Sequence, residues 1–146
     1  MKVKDILEVK GSRVVNCHED NSVMDALAIF AANRVGSLLV VDANENIMGI
    51  LAPRDVLLVV LKNYENVKNI KVSTVMTKDL LVATLDDDIE YIQNIMTENR
   101  VRHIPILDGG SVKGLISIGD VVKAQMKEKD VENRYLKDYI EGKYPA

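Results

Sequence analysis

The chain has 146 residues, of which 47% are hydrophobic and 28% charged, with one Phe and no Trp. A chain of this length buries about two thirds of its unfolded surface on folding, so it needs no disulfide or metal to hold a core. The net charge of −3 disfavours sequence-independent nucleic-acid binding, which requires clustered Lys and Arg. The composition therefore predicts a globular domain with a core of Val, Ile, Leu and Met.

Cysteine content and apolar runs bear on the compartment. The single cysteine, Cys17, cannot form an intrachain disulfide, and the opening MKVKDILEVKGSR contains no apolar stretch of signal-peptide length. The apolar run from Val56 to Leu61 is far too short to span a membrane. A reducing, cytoplasmic location without membrane association is therefore expected.

In the first half of the chain, short apolar runs alternate with helical periodicity. Ser22, with Asp25 three residues later, is typical of a helix N-cap, and Pro53 suits the first turn of another helix. The predicted elements are a strand at 13–17, a helix from Ser22 to about Asn33, strands at 37–41 and 47–51, and a helix from Pro53.

The second half follows the same order. Asp87 or Asp88 is predicted to cap a helix whose apolar face is formed by Ile89, Ile92 and Met96. The other predicted elements are a strand at 80–84, two strands on either side of the DGG turn, and a long helix that ends at about Glu141.

The second half also repeats the first in sequence. NRV at 33–35 recurs at 99–101, and GSLLVVD at 36–42 aligns with RHIPILD at 102–108, both at an offset of 66 positions. Each repeat is β-α-β-β-α and too small to bury its sheet alone. We therefore expect a mixed α/β (α+β) fold with the repeats packed sheet to sheet by pseudo-two-fold symmetry. The predicted boundaries are 1–66, 67–126 and a helical extension at 127–146.

The sequence GLISIGD at 114–120 has two physical interpretations. Ser117 and Asp120, three residues apart, are typical of a capping box at a helix N-terminus. A carboxylate beside the free N–H groups of a helix start is alternatively part of a ligand site. From these residues alone the cap is favoured, because capping pairs are common and ligand sites rare, whereas the repeat context favours the ligand site; the two roles are compatible.

The order of elements, with RVRHIPILD at 100–108 before a turn and GLISIGDVVKA at 114–124 after it, resembles the cystathionine-β-synthase (CBS) domain family. Two tandem copies resemble a Bateman module, here without an attached enzyme. The resemblance implies an adenosine-containing ligand (AMP, ADP, ATP, NAD or S-adenosylmethionine) in the clefts between the copies, and homodimers built from four copies.

The resemblance also implies site residues. Ser117, Gly119 and Asp120 would hold the ribose and lie at the helix start, and Arg102 and His103 would meet phosphates. Ile104 and Pro105 would form the walls around the adenine ring. The backbone of Lys78 to Leu80 would contact the edge of the adenine.

The first copy departs from the motif. GILAPRD at 49–55 has Ala52 in place of the hydroxyl but keeps Asp55 and adds Arg54. Gly36 and Ser37 replace the basic pair. One good nucleotide site on the second copy is therefore expected, with a weaker or different site at Arg54 and Asp55.

Three function classes follow. The leading hypothesis is a non-catalytic sensor in which an adenine nucleotide acts on a homodimer and, through it, on an unidentified regulated protein. The first alternative is an interaction or scaffold dimer with a vestigial site, and nucleic-acid binding is a disfavoured third. No metal is expected, because Cys17 and His18 give too few ligands. The helix VLLVVL and the C-terminal helix are expected to pack against a dimer partner, and the alternative for the C-terminal helix is packing on its own module.

Overall fold

The computed structural model describes residues 1–142. The helices are α1 (Val3–Lys10), α2 (Val23–Asn33), α3 (Pro53–Asn63), α4 (Ile89–Asn99) and α5 (Ile118–Ile140). The strands are β1 (Asn16–His18), β2 (Leu38–Val41), β3 (Ile47–Leu51), β4 (His103–Asp108) and β5 (Ser111–Ser117). The predicted mixed α/β class, with a helix after the second repeat, is confirmed.

The chain folds as two compact units. The first-repeat unit comprises Arg13–Leu81, and the second-repeat unit comprises Met1–Ser12 together with the chain from Val82 onward. The compact units therefore differ from the repeats at their opening segments. Helix α1 belongs to the second-repeat unit, and the segment around Val72 belongs to the first-repeat unit.

The first-repeat unit contains a three-stranded sheet in the order β1-β2-β3. Strand β1 is parallel to β2, and β2 is antiparallel to β3. Alternate side chains of the strands pack with α2, α3 and the turn at Val72–Thr74 to form the core. The fully buried members include Val23, Leu38, Val40, Leu51 and Val72.

The second-repeat unit contains the antiparallel pair β4-β5. Helix α1 is fixed to this unit by backbone hydrogen bonds from Val3 N to Asp87 O and from Lys4 N to Leu85 O, both 3.0 Å long. Its apolar side chains then join the core formed by α4, β4, β5 and α5. The predicted face of α4 is confirmed, since Ile89, Ile92 and Met96 are all buried.

Gly49 and Gly114 begin the GILAPRD and GLISIGD patterns. Each lacks a side chain at a point where another segment of the same unit packs closely. A Cβ at Gly114 would lie 2.7 Å from Leu7 Cδ2, and a Cβ at Gly49 would lie 2.7 Å from both Met76 Sδ and Thr77 O. Real Cβ atoms do not approach other atoms this closely. The two glycines therefore allow α1 and the segment at Met76 to pack against their strands.

The strand predicted at 80–84 does not form. Only a single parallel bridge joins Ala83 to Ile106, with Ala83 N donating to Pro105 O at 3.0 Å. The next bond of a parallel ladder needs an N–H at position 105, which proline lacks. In the first repeat the corresponding residue is Leu39, whose N–H donates to Val15 O at 3.2 Å, and the strand forms.

Helix starts follow the sequence closely. Ser22 caps α2, and Pro53 occupies the first turn of α3 as predicted. Asp88 is the N-cap of α4, but its side chain makes no capping hydrogen bond, and its Oδ1 lies 3.5 Å from Lys2 Nζ. The carboxylate therefore forms an ion pair with the segment before α1.

Helix α5 extends well beyond the motif at its start. Every residue from 131 to 140 is exposed except Asp138, which is half-buried. The last four residues of the predicted extension lie outside the described residues. Exposed apolar side chains on this helix include Val122, Met126, Val131, Leu136 and Ile140. Within residues 1–142, no helix is long and apolar enough to cross a membrane.

Candidate functional site

The site begins at the capping box between β5 and α5. Ser117 Oγ accepts the Asp120 N–H at 3.1 Å, and Asp120 Oδ2 accepts the Ser117 N–H at 2.8 Å. The predicted cap is therefore confirmed. The other carboxylate oxygen of Asp120, Oδ1, takes part in neither of these hydrogen bonds.

Lys10, at the end of α1, is a neighbour of Asp120 that the sequence did not indicate. Its Nζ donates to Asp120 Oδ2 at 2.6 Å and to Leu115 O at 2.7 Å. The Asp120 side chain is only 17% exposed, so this ion pair is shielded from water more than a surface pair is. Because the two residues are 110 positions apart, no local pattern could have revealed the contact.

The same contacts set the protonation of Asp120. Partial burial by itself raises the pKa of this carboxyl, but the hydrogen bond from Lys10, the Ser117 backbone N–H and the Lys10 charge outweigh burial and hold the pKa below 3.8. Asp120 is therefore ionised at neutral pH. A carboxylate in this state accepts hydrogen bonds and donates none.

Arg102 and His103 lie beside the capping box. His103 pairs with Ser117 across the β4-β5 ladder, so their side chains share one face of the sheet. Ile118 N donates to Arg102 O at 2.8 Å, which fixes the start of α5 against the start of β4. The structure therefore brings together four of the predicted residues: Arg102, His103, Ser117 and Asp120.

His103 is half-buried and surrounded by charge. Burial lowers its pKa below 6.5, and the positive charge of Lys10 lowers it further. Asp120 opposes this shift, and Arg102 adds to it. His103 is therefore neutral at pH 7 and has one ring nitrogen able to donate and one able to accept.

The other predicted residues of the second repeat differ in accessibility. Ile104 is fully buried in the core of the second-repeat unit, and Pro105 is buried as well. Gly119 is exposed, and a Cβ placed there would meet its nearest atom, Ser117 Oγ, at 3.6 Å. Gly119 is thus open to a ligand, whereas the side chain of Ile104 serves the core.

The N-terminus of α3 in the first repeat has only part of this capping box. Asp55 Oδ2 accepts the Ala52 N–H at 2.9 Å, so half of the capping box survives without the hydroxyl. This bond gives Asp55 a structural role independent of any ligand. Arg54 is exposed, and no described residue occupies the place at Asp55 that Lys10 occupies at Asp120.

Ser37 aligns with His103 and is 2% exposed. Among the described residues its hydroxyl has no hydrogen-bond partner. The first repeat therefore has a small buried hydroxyl without a partner where the second repeat has His103.

Lys78 and Leu80 lie in the first-repeat unit, after the bridge between Ile50 and Thr77. Lys78 is exposed and Leu80 is half-buried. Their predicted role as backbone contacts to adenine stays a prediction.

The state of Cys17 and the distribution of metal-ligating side chains bear on catalytic and metal chemistry. Cys17 is buried in the core of the first-repeat unit, and burial raises its pKa to about 11. It is therefore a thiol at neutral pH and not a nucleophilic thiolate. No cluster of metal-ligating side chains occurs within residues 1–142.

Comparison with known proteins agrees with this geometry. Residues 3–62 and 72–127 each match the CBS domain. The chain therefore belongs to the CBS-domain family, as a tandem pair. It is 33% identical to the mitochondrial CBS domain-containing protein CBSX3 of Arabidopsis thaliana, over 97% of this chain and 73% of the relative.

Solved structures share the fold. The CBS-domain protein ATU1752 of Agrobacterium tumefaciens is 35% identical, with a TM-score of 0.81 over 86% of this chain and 99% of that one. The CBS domain pair of MJ0100, solved with 5-methylthioadenosine and S-adenosyl-L-methionine, is 21% identical, with a TM-score of 0.77 over 88% of this chain and 98% of that one.

Several longer relatives are matched over only about a quarter of their length. The cytoplasmic location stays a prediction, since the Arabidopsis relative is mitochondrial by name.

Proposed function

We propose that this protein is a non-catalytic sensor whose second repeat binds an adenosine nucleotide, and whose homodimer passes the bound state to a regulated protein. The observation that carries the proposal is the group formed by Ser117, Asp120, Arg102 and His103 in one unit. It combines a ribose acceptor, a helix N-terminus and a phosphate-binding guanidinium.

The ribose contact rests on the ionised Asp120. A carboxylate accepts from both hydroxyls of a vicinal diol, and charge-assisted bonds of this kind each contribute about 1.5–3 kcal/mol. The ligand has to compete with Lys10 for this oxygen or bind through Oδ1. MJ0100, which has the same fold, was solved with two adenosine-containing ligands, and this supports the chemical class.

The homodimer is supported by exposed apolar side chains on α3. Leu57 is 66% exposed and Leu61 is 78% exposed, while Val56 on the same helix is 2% exposed. Such a helix presents an apolar face that a second copy could cover. A ligand regulates this dimer only if it binds two of its states with different affinity.

Isothermal titration with AMP, ADP, ATP, NAD, NADH and S-adenosylmethionine tests the proposal. At least one ligand should bind, and Asp120→Asn should weaken binding about thirty-fold, because about 2 kcal/mol of charge-assisted bonding is lost. Asn keeps an oxygen for the Ser117 N–H, so the cap is retained.

Asp55→Asn is the matched control, since Asp55 makes the equivalent backbone bond to Ala52. It should leave the affinity of the second-repeat site within about twofold of wild type, because it removes no contact to that ligand.

The second candidate is a scaffold dimer that binds no nucleotide. The ion pair between Lys10 and Asp120 favours it, because a side chain of the protein itself already compensates the carboxylate. Absence of heat with every ligand would select this alternative.

A further inference from the structure

We propose that the groove between α1 and α5 is a subsite for a linear phosphate chain, so that the site prefers nucleoside di- and triphosphates to uncharged adenosines. The inference rests on the proposed function and names the ligand class of that same site. It assigns roles to Lys123 and Lys127, which are not among the site residues that the sequence predicts.

The groove is next to the ribose acceptor. It has a volume of about 270 Å³, and its lining includes Asp120 and Lys10. One wall is α1, with Asp5, Ile6 and Val9, and the other is α5, with Lys123, Ala124 and Lys127. A ligand held at Asp120 therefore has open space directly beside it.

The α5 wall places its charges in line with Asp120. Residues three, four and seven positions along a helix share one face, so Lys123 and Lys127 follow Asp120 along the groove. At 1.5 Å per residue, the backbone positions of Asp120 and Lys127 are about 10 Å apart along the axis. This span suits a chain of two or three phosphates that starts from a ribose at Asp120.

The two lysines on this wall have no direct partner among the described residues. Neither Lys123 nor Lys127 forms a salt bridge or hydrogen bond within residues 1–142, and both are exposed. They are four residues apart, where like charges repel each other. Lys10 uses two of its three N–H donors, on Asp120 and Leu115, and retains one. An anion with several charges would relieve the repulsion and take up these donors.

The charge balance separates ligand classes. Asp120 stays ionised when it accepts the ribose hydroxyls, so the groove has three lysine ammonium groups, from Lys10, Lys123 and Lys127, against two carboxylates, Asp120 and Asp5, and Asp5 already accepts the Lys2 N–H at 2.8 Å. Met1 also lines the groove, but its α-ammonium is paired with Glu128 Oε1 at 2.9 Å, so the groove keeps a net positive charge. This field favours ATP and ADP and gives nothing to 5-methylthioadenosine, which has no phosphate. It disfavours the sulfonium charge of S-adenosylmethionine.

Titration calorimetry with ATP, AMP and 5-methylthioadenosine tests the subsite. The double variant Lys123→Gln, Lys127→Gln should weaken ATP binding about tenfold and leave the affinity for 5-methylthioadenosine within about twofold. The variant changes no contact that holds the fold. Lys123→Arg, Lys127→Arg should restore ATP binding, and Lys129→Gln on an exposed part of α5 is the control for net charge.

Binding of ATP that the double variant leaves within about twofold would overturn the subsite without touching the proposed function. A second probe, inorganic tripolyphosphate followed by backbone NMR, separates the two hypotheses. Shifts centred on Lys10, Lys123 and Lys127 support the groove, and their absence overturns it. If no adenosine ligand binds, the proposed function is wrong. The tripolyphosphate experiment then tests the groove as a phosphate site independently.

Discussion

The ammonium of Lys10 lies 2.6 Å from the carboxylate of Asp120, and the same ammonium donates to Leu115 O. This contact ties the end of α1 to the start of α5 in the second-repeat unit. It also places a cation directly on the residue that the CBS motif assigns to ribose. Docking of α1 and ligand binding therefore share one carboxylate.

The ion pair should be measurable in stability. Lys10→Met removes the cation and its bond to Leu115 O but keeps most of the apolar stem, so we expect a loss of about 1 kcal/mol in the free energy of unfolding. Urea denaturation at pH 7 measures this loss. An unchanged midpoint would mean that the ion pair adds nothing measurable to the backbone and apolar contacts that hold α1.

Asp120 should stabilise the fold in a pH-dependent way. Its pKa in the folded state lies below 3.8, so its contribution is complete above 3.8 and disappears as the pH falls through the folded value. The difference in unfolding free energy between wild type and Asp120→Asn should be constant from pH 7 to about 5 and shrink at lower pH. A difference that grows on acidification would contradict the assigned pKa.

His103 should act in the same direction as Asp120 but at higher pH. Burial and the charge of Lys10 hold its folded pKa below 6.5, against the pull of Asp120, and Arg102 lowers it further. As the pH falls through 6.5, the unfolded chain gains a proton that the folded state does not, so stability decreases until the folded pKa is reached. His103→Gln should flatten this part of the stability curve in urea titrations. A curve as steep as that of wild type would exclude His103 as the source.

The motif glycines should differ in their sensitivity to substitution. Gly49→Ala places a Cβ 2.7 Å from the backbone oxygen of Thr77, which cannot rotate away, and should cost about 1–3 kcal/mol. Gly114→Ala meets only the Leu7 side chain and should cost less. Thermal denaturation compares them, with Gly119→Ala as the control that meets no close atom. Equal losses at Gly49 and Gly119 would argue against the packing role.

Much of this architecture could be predicted from the sequence. The caps at Ser22 and Ser117 were visible because they depend on residues three positions apart, and the repeat exposed the order of elements. The absent strand at 80–84 was missed because its loss depends on a missing donor at Pro105, a residue of another strand. Lys10 was missed for a similar reason, since only folding brings it to Asp120.

The proposed dimer predicts a change in sedimentation. Leu57→Gln with Leu61→Gln should shift the wild-type dimer towards monomer at micromolar concentration, because both side chains are exposed in the single chain. Val9→Gln, at a side chain 81% exposed on α1, is the control for a general loss of apolar surface. A wild-type protein that sediments as a monomer would refute the dimer.

The central claim is that the start of α5 in the second repeat binds an adenosine nucleotide. Titration of the ¹⁵N-labelled protein with AMP, followed by NMR, tests it most directly, since it reports both binding and place. We expect saturable shifts of the Ser117 to Val121 amides and of the His103 imidazole, and their loss in Asp120→Asn. Shifts that leave out Ser117 to Val121 and His103, or no shifts at millimolar AMP, would contradict the claim.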